Sequence, residues 1–195
     1  IDTKKIKTVI FSHKHFDHIG GLTGLLSLDN SVETIYCTPD AVEPVKKTIP
    51  GKTKIEVKPI HDFGYINGYM YTSGSIDCIY KTYSLQEQAV IIERDDKIGI
   101  ITGCAHPGII NIVRHVKKKM PGKEISFVIG GFHTSEFSSD MLKKMAVDLQ
   151  ELGVIKAGPC HCSGNTAKKA FKNKYGKNYI KVDAGAVLQM DSLFN

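Results

Sequence analysis

Short apolar runs rich in β-branched residues alternate along this chain with stretches whose apolar positions recur every three to four residues. IKTVIF (6–11) reads as a buried strand, and TIYCT (34–38) and KIEVKPI (54–60) as two more. Between the last two, PDAVEPVKKTI (39–49) is expected to form a short helix with proline in its first turn. AVIIER (89–94) and KIGIITG (97–103) flank Asp95 and Asp96, a hairpin signal. In GIINIVRHVKKKM (108–120), Ile109, Ile112, Val113, Val116 and Met120 share one helical face. In SSDMLKKMAVDLQEL (138–152), Leu142, Met145, Ala146, Leu149 and Leu152 do the same, with Ser138 or Ser139 to cap the start and Gly153 to suit the end. ISFVIGG (125–131) and VIKAGP (154–159) read as strands, NTAKKAFKNKY (165–175) as a helix ended by Gly176, and YIKVDAG (179–185) as a last strand. Residues 61–86 have many Gly, Tyr and Ser and little periodicity. They are expected to form a long irregular loop of the kind that covers a substrate. Strands interleaved with helices predict a layered α/β fold.

Length and composition narrow the class. A chain of 195 residues is most simply one domain, and 42% hydrophobic with 24% charged residues is ordinary for a soluble globular protein. No run of about 18 apolar residues occurs, so no membrane span is expected. The net charge of +6 is carried almost wholly by lysine, since Arg94 and Arg114 are the only arginines. Apart from Lys117–Lys119 the lysines are scattered, which suits a solvated surface and the attraction of a small anionic substrate better than a nucleic-acid face. Five cysteines, an odd number, argue against a fully paired disulfide framework and for a reducing cytoplasm. Cys37 and Cys78 read as small apolar residues of the interior.

The chemistry is concentrated after the first strand. FSHKHFDHIGG (11–21) carries His13, His15 and His18 with Asp17, in a chain that has eight histidines. Imidazole nitrogen with a carboxylate is a donor set for zinc-type cations. His13 and His15, two apart in extended geometry, can point the same way, and the turn that follows lets Asp17 and His18 face a neighbouring ion. Phe16 is expected to pack beneath this loop, and Gly20 and Gly21 to let the backbone come close. His61 and His115 read as structural or solvent-exposed.

SHKHFDHIGGL resembles the His-x-His-x-Asp-His signature of the metallo-β-lactamase-fold superfamily. ITGCAHPGIINIV (101–113), VIGGFH (128–133) and GPCHCSGNTA (158–167) resemble one of its subgroups, which includes a methanopterin-pathway phosphate synthase and metal-dependent hydrolases. The resemblance runs from about Lys7 to Gly185 and implies a four-layer αββα sandwich. Because strands usually precede the first histidine in that superfamily, residues 1–195 are expected to form a single domain lacking its N-terminal strands. An exposed sheet edge would then favour a homo-oligomer.

By position, the resemblance implies His13 and His15 on a first metal, Asp17 and His18 on a second, and His106 and His161 as one further ligand each. Alternation along an extended chain would point Cys160 and Cys162 away from His161, so His161 is expected to act there alone. His133 is the candidate for a substrate-facing or acid–base histidine, with a satisfied structural histidine as the alternative. Many relatives carry a metal-bridging aspartate where this chain has Cys104. That residue is then either a bridging thiolate or a buried thiol beside the site, and occupancy by one ion remains an option. The implied activity is hydrolysis of an ester, lactone or phosphoryl-type bond by metal-activated water, with Asp17 and His133 as catalytic residues. One or two divalent ions are implied, zinc first, with manganese, iron or magnesium as alternatives. Rival readings are a synthase that displaces pyrophosphate with an arylamine, and a truncated metal-binding domain without activity.

Overall fold

The computed structural model describes residues 2–51 and 53–195. Its first half is built on three parallel strands, β1 (Thr8–Ile10), β2 (Thr34–Cys37) and β3 (Glu56–Pro59), in the order β1-β2-β3. Parallel strands need crossovers, and short helices supply them: α1 (Phe16–Ile19) and α2 (Leu22–Ser27) between β1 and β2, and α3 (Val42–Thr48) between β2 and β3. Pro39 opens a single 3-10 turn ahead of α3, where its missing N–H is no loss. Phe11, Ile19, Leu22, Ile35, Ala41 and Val45 make the core of this half.

The second sheet has six strands in the order β11-β10-β9-β8-β5-β4. These are β4 (Gly64–Asn67), β5 (Met70–Thr72), β8 (Val90–Arg94), β9 (Lys97–Thr102), β10 (Glu124–Gly131) and β11 (Val154–Cys160). β4, β5, β8 and β9 pair antiparallel, whereas β9, β10 and β11 run parallel, so the carboxyl ends of those three lie along one edge. The helices α4 (Ile109–Lys119), α5 (Ser139–Glu151) and α6 (Gly164–Tyr175) cover one face. The stripe Ile109, Ile112, Val113 and Val116 packs on Ile98, Ile100 and Val128, each such side chain contributing about 1.5–3 kcal/mol of transfer free energy. Ser138 caps α5, its hydroxyl accepting from the Met141 N–H at 3.3 Å. Phe127 and Ile129, neighbours of Val128, point to the opposite face, where Leu193 and Phe194 of α7 (Met190–Phe194) meet them.

The resulting mixed α/β architecture agrees with the layered fold read from the sequence, with two local corrections. Residues 61–86 are largely ordered as two hairpins: β4 with β5, and β6 (Ile76–Tyr80) with β7 (Tyr83–Glu87) as a separate two-stranded sheet. Asn67-Gly68 is a hairpin turn signal that the glycine- and serine-rich composition of the stretch obscures. The expected strand 179–185 is instead one parallel bridge, Tyr179 to Ala157. Ile180 donates to the Ala157 carbonyl at 2.9 Å, but the next residue on that side of β11 is Pro159, which has no N–H with which to continue the ladder. Ile180 and Val182 pack against Phe127 and Ile129 instead. None of the described helices is long and apolar enough to cross a membrane.

Candidate metal centre

Four strand ends deliver the candidate residues. β1 leads into Ser12 and His13, β9 into Cys104 and His106, β10 into His133, and β11 into His161. Register holds the last three together: Thr102 sits opposite Gly130, and Gly131 opposite Cys160. Two buried side chains in succession tie the first loop to this edge. Gln88 donates to the Phe11 carbonyl at 2.8 Å and its backbone N–H to the Ser12 carbonyl at 2.9 Å, while its amide oxygen accepts from Thr72. Gly103 leaves room for the contact, since a Cβ there would lie 2.1 Å from the Ser12 hydroxyl.

Glu87 organises the loop after β9. One carboxylate oxygen accepts from the backbone N–H of Cys104 at 2.8 Å and of Ala105 at 2.7 Å. The other accepts from the His106 N–H and from His106 Nδ1, each at 2.8 Å. The last bond fixes the tautomer of His106 and leaves its Nε2 as the free donor nitrogen. Burial pushes the Glu87 carboxyl up, but the His106 hydrogen bond, the neighbouring His13 and the backbone N–H groups outweigh it and hold the pKa at about 2. The sequence reading did not pick out Glu87. Its signal is the alternation Leu85, Glu87, Ala89, which puts a carboxylate on the inward face of a strand, and that signal exists only once 83–87 is recognised as a strand.

All the expected ligands converge. His13, His15 and His106 form one group and Asp17, His18 and His161 another, the donor atoms within each lying within 4.8 Å of one another. His13 Nε2 faces His15 Nδ1 at 3.0 Å, while the outward nitrogens are held by Ser12 Oγ at 3.0 Å and the Tyr83 hydroxyl at 2.7 Å. His18 Nε2 is 3.2 Å from His161 Nε2, and Asp17 Oδ2 lies 3.5 Å from the former and 3.2 Å from the latter. Donors that share a tetrahedral ion at about 2.0–2.1 Å stand about 3.3 Å apart. Burial, first among the causes, lowers the pKa of His13 to about 3 and also lowers those of His15 and His18. Burial thus favours the neutral form of these rings, and neutral imidazoles turning lone pairs toward one another at such distances fit a cation between them.

His133 joins this cluster. Its ring centroid is 4.5 Å from that of His106 and 5.3 Å from that of Tyr80, and its Nδ1 is buried without a hydrogen-bond partner among the described residues. His61 is exposed, and the His115 Nε2–H donates to the Ser73 carbonyl at 2.9 Å; neither belongs to these groups. Phe16 does not pack beneath the loop: it is 82% exposed, because α1 starts at that residue and turns its ring outward. Cys37 is buried as expected, whereas Cys78 is half-buried in the β6–β7 hairpin.

The expectation that Cys162 points away from His161 is overturned. β11 ends at Cys160, and His161–Ser163 form a 3-10 turn with His161 at φ 48°, so the two-residue alternation does not apply. Cys104, His161 and Cys162 form a further group of potential donors, while Cys160 belongs to none. The contact between the two thiols raises the pKa of Cys104 and lowers that of Cys162.

Superposition on solved structures gives a TM-score of 0.75 with Tm1679, described as a metal-dependent hydrolase of the beta-lactamase superfamily, at 24% identity over 94% of this chain and 79% of that one. It gives 0.61 with the metallo-beta-lactamase fold protein YhfI from Bacillus subtilis, at 16% identity over 95% and 78%. This is the metallo-β-lactamase fold. Residues 1–68 match the family described as the beta-lactamase superfamily domain, which bears out the resemblance carried by the first histidine motif. The chain is also 27% identical to 7,8-dihydropterin-6-methyl-4-(beta-D-ribofuranosyl)-aminobenzene-5'-phosphate synthase of Methanocaldococcus jannaschii, over 97% of this chain and 77% of that protein.

Proposed function

We propose that this metallo-β-lactamase-fold chain is a metal-dependent hydrolase acting on an ester, lactone or phosphoryl-type bond in a small anionic substrate, with zinc as the first choice of ion. The observation that supports this most is the convergence of His13, His15 and His106 beside Asp17, His18 and His161, drawn from separate segments of the chain. A divalent ion held there lowers the pKa of water from 15.7 to about 7 and stabilises charge on an electrophile or leaving oxygen. The protein's own groups do the rest. Asp17, the most exposed member at 58% of its side chain, takes the proton of the attacking water on Oδ1, the oxygen not turned toward His18 and His161. His133, with one ring nitrogen unpartnered, holds a proton for the leaving group. At the β6–β7 tip Tyr80 lies tilted or edge-on to His15 and His106, and Tyr83 edge-on to His15; the two rings exclude bulk water on that side and wall the substrate. Lys81, its ammonium 5.4 Å from the Tyr80 ring, brings positive charge to the mouth for an anion.

A second reading draws support from the similarity to a phosphate synthase across 97% of this chain. In it the same groups position an arylamine in place of water, and pyrophosphate departs. The deciding experiment measures metal content by emission spectrometry and turnover on phosphoesters, lactones and pyrophosphates before and after chelation. Turnover should vanish with the metal, return with added ion, and fall at least about a hundredfold in Asp17→Ala, the usual contribution of a general base. Pyrophosphate release that requires an added arylamine favours the synthase. Metal uptake without turnover under any condition favours a binding domain, and turnover indifferent to chelation defeats the proposal.

A further inference from the structure

His161 belongs to two donor groups at once, one with Asp17 and His18 and the other with Cys104 and Cys162. We propose that Cys162, together with Cys104, supplies sulfur to the ion held at His161, which makes the second metal position selective for a thiophilic divalent cation. The inference rests on the metal-centre reading above and deepens it.

The placement of the sulfurs is built into the backbone. The positive φ of His161 sets the turn that brings its ring and the Cys162 thiol to the same side of the strand end. Two hydrogen bonds fasten that turn to the segment after β10, Phe132 N–H to Ser163 Oγ at 3.0 Å and the Thr134 hydroxyl to the Ser163 carbonyl at 3.0 Å, and a third closes the turn itself, the Ser163 hydroxyl donating to the Cys160 carbonyl at 2.6 Å. Ser163 is fully buried, so the turn is preorganised. Gly131 completes the seat: a Cβ there would stand 2.8 Å from Cys162 Sγ and 3.1 Å from the Cys104 Cα. The Gly103 carbonyl oxygen would be nearer still, at 2.3 Å, so glycine is what lets the ends of β9 and β10 and the sulfur stand this close. On the other side Cys104 Sγ lies 3.2 Å from His18 Nε2, the atom that also faces His161. Glu87 holds Cys104 there through its backbone N–H at 2.8 Å.

Charge and softness point the same way. The nitrogen–oxygen group offers one carboxylate to a divalent cation, and that carboxylate is its most exposed member. Two thiolates supply the missing negative charge from more sheltered positions, and their protons pass to solvent as the ion binds. Thiolate donors favour zinc, cadmium, cobalt or ferrous iron over magnesium and manganese, which prefer oxygen.

The test uses the whole chain, stripped with a chelator and titrated with cobalt(II) alone. Bound cobalt is counted by emission spectrometry, and absorption is followed in the near ultraviolet, where thiolate-to-cobalt charge transfer appears. The wild type should show that band. Cys162→Ser and Cys104→Ser should each lose roughly half of it, as expected for one thiolate of two, and Cys160→Ser should keep it. In a parallel measurement on unaltered protein, cobalt should protect Cys104 and Cys162, but not Cys160, from a thiol reagent read by peptide mass. Cadmium should displace the band and magnesium should not. Bound cobalt without the band, a band of full strength in Cys162→Ser, or a Cys162 thiol that stays reactive in the cobalt-bound unaltered protein overturns the inference and leaves the metal centre standing. Failure to bind cobalt at all overturns the metal centre as well.

Discussion

His13 and His106 are almost wholly shielded from solvent, whereas Asp17 and His161, which face them across the same centre, expose 58% and 42% of their side chains. In the first group every histidine has its second nitrogen occupied: His13 by Ser12, His15 by Tyr83 and His106 by Glu87. In the second, His161 has no such partner among the described residues; it faces His18 and Asp17, themselves candidate donors of the centre. Outer hydrogen bonds fix ring orientation and raise ligand basicity. The buried histidines are thus held in fixed orientations, as a tightly held ion would require. The open group can adjust, which suits a position that exchanges donors with a substrate or with the sulfurs of Cys104 and Cys162.

The comparison breaks most decisively at His13. Truncation to alanine removes a nitrogen donor from the sheltered group and leaves a void next to Glu87, whose carboxylate then loses a neighbouring imidazole at 3.9 Å. The loss of affinity at the first position should exceed the roughly 10–100-fold typical of outer-shell partners, and turnover should fall with it. Metal stoichiometry measured at limiting ion checks this. If His13→Ala keeps its full complement while His161→Ala loses it, the ranking of the two groups is reversed.

A smaller effect is expected at Glu87. Glu87→Gln keeps the shape but puts an amide N–H₂ where a carboxylate oxygen accepted, so part of the set formed by the backbone N–H groups of Cys104, Ala105 and His106 then faces a donor. Hydrogen bonds to a charged group are worth about 1.5–3 kcal/mol each, so metal-free protein should lose several kcal/mol, which thermal melting reads as a clear fall in Tm. Affinity for the first ion should drop roughly 10–100-fold because nothing then enforces the His106 tautomer. Binding at His161 should change less. Equal losses at both positions would mean that Glu87 acts through its hold on Cys104 as much as through the His106 ring.

How much of this was legible beforehand differs between the same two groups. Periodicity placed α4 and α5 closely, because a four-residue apolar stripe on a buried helix leaves a strong signal. The motif after β1 marked His13, His15, Asp17 and His18 as candidates, resemblance added His106 and His161, and the fold brings all six together. What stayed hidden depends on contacts between distant segments. Glu87 lies in a hairpin whose strands are short and rich in polar residues, and its partners are 17 to 19 positions away. Cys162 was misjudged because alternation assumes extended backbone, and one positive φ at His161 cancels it. The strand expected at 179–185 failed for a comparable reason, since pairing needs a donor where the neighbouring strand has Pro159.

The smallest predicted effect lies at the join between the sheltered group and the hairpin above it. Tyr83 is 40% exposed, and its hydroxyl meets His15 Nε2 at 2.7 Å, the only hydrogen bond found for that nitrogen among the described residues. Tyr83→Phe keeps the ring, and hence its edge contact with Tyr80 at 5.6 Å between centroids. Only the orientation of His15 is loosened, at a cost of about 0.5–1.5 kcal/mol, or up to roughly tenfold in affinity for the first ion. Folding stability should stay within about 0.5 kcal/mol of the parent, as for a surface substitution. Isothermal titration of metal-free protein separates the two quantities. A loss as large as that in Glu87→Gln would shift control of the sheltered histidines from the buried carboxylate to the hairpin tip, and the contrast between a fixed and an adjustable half of the centre would no longer follow from burial.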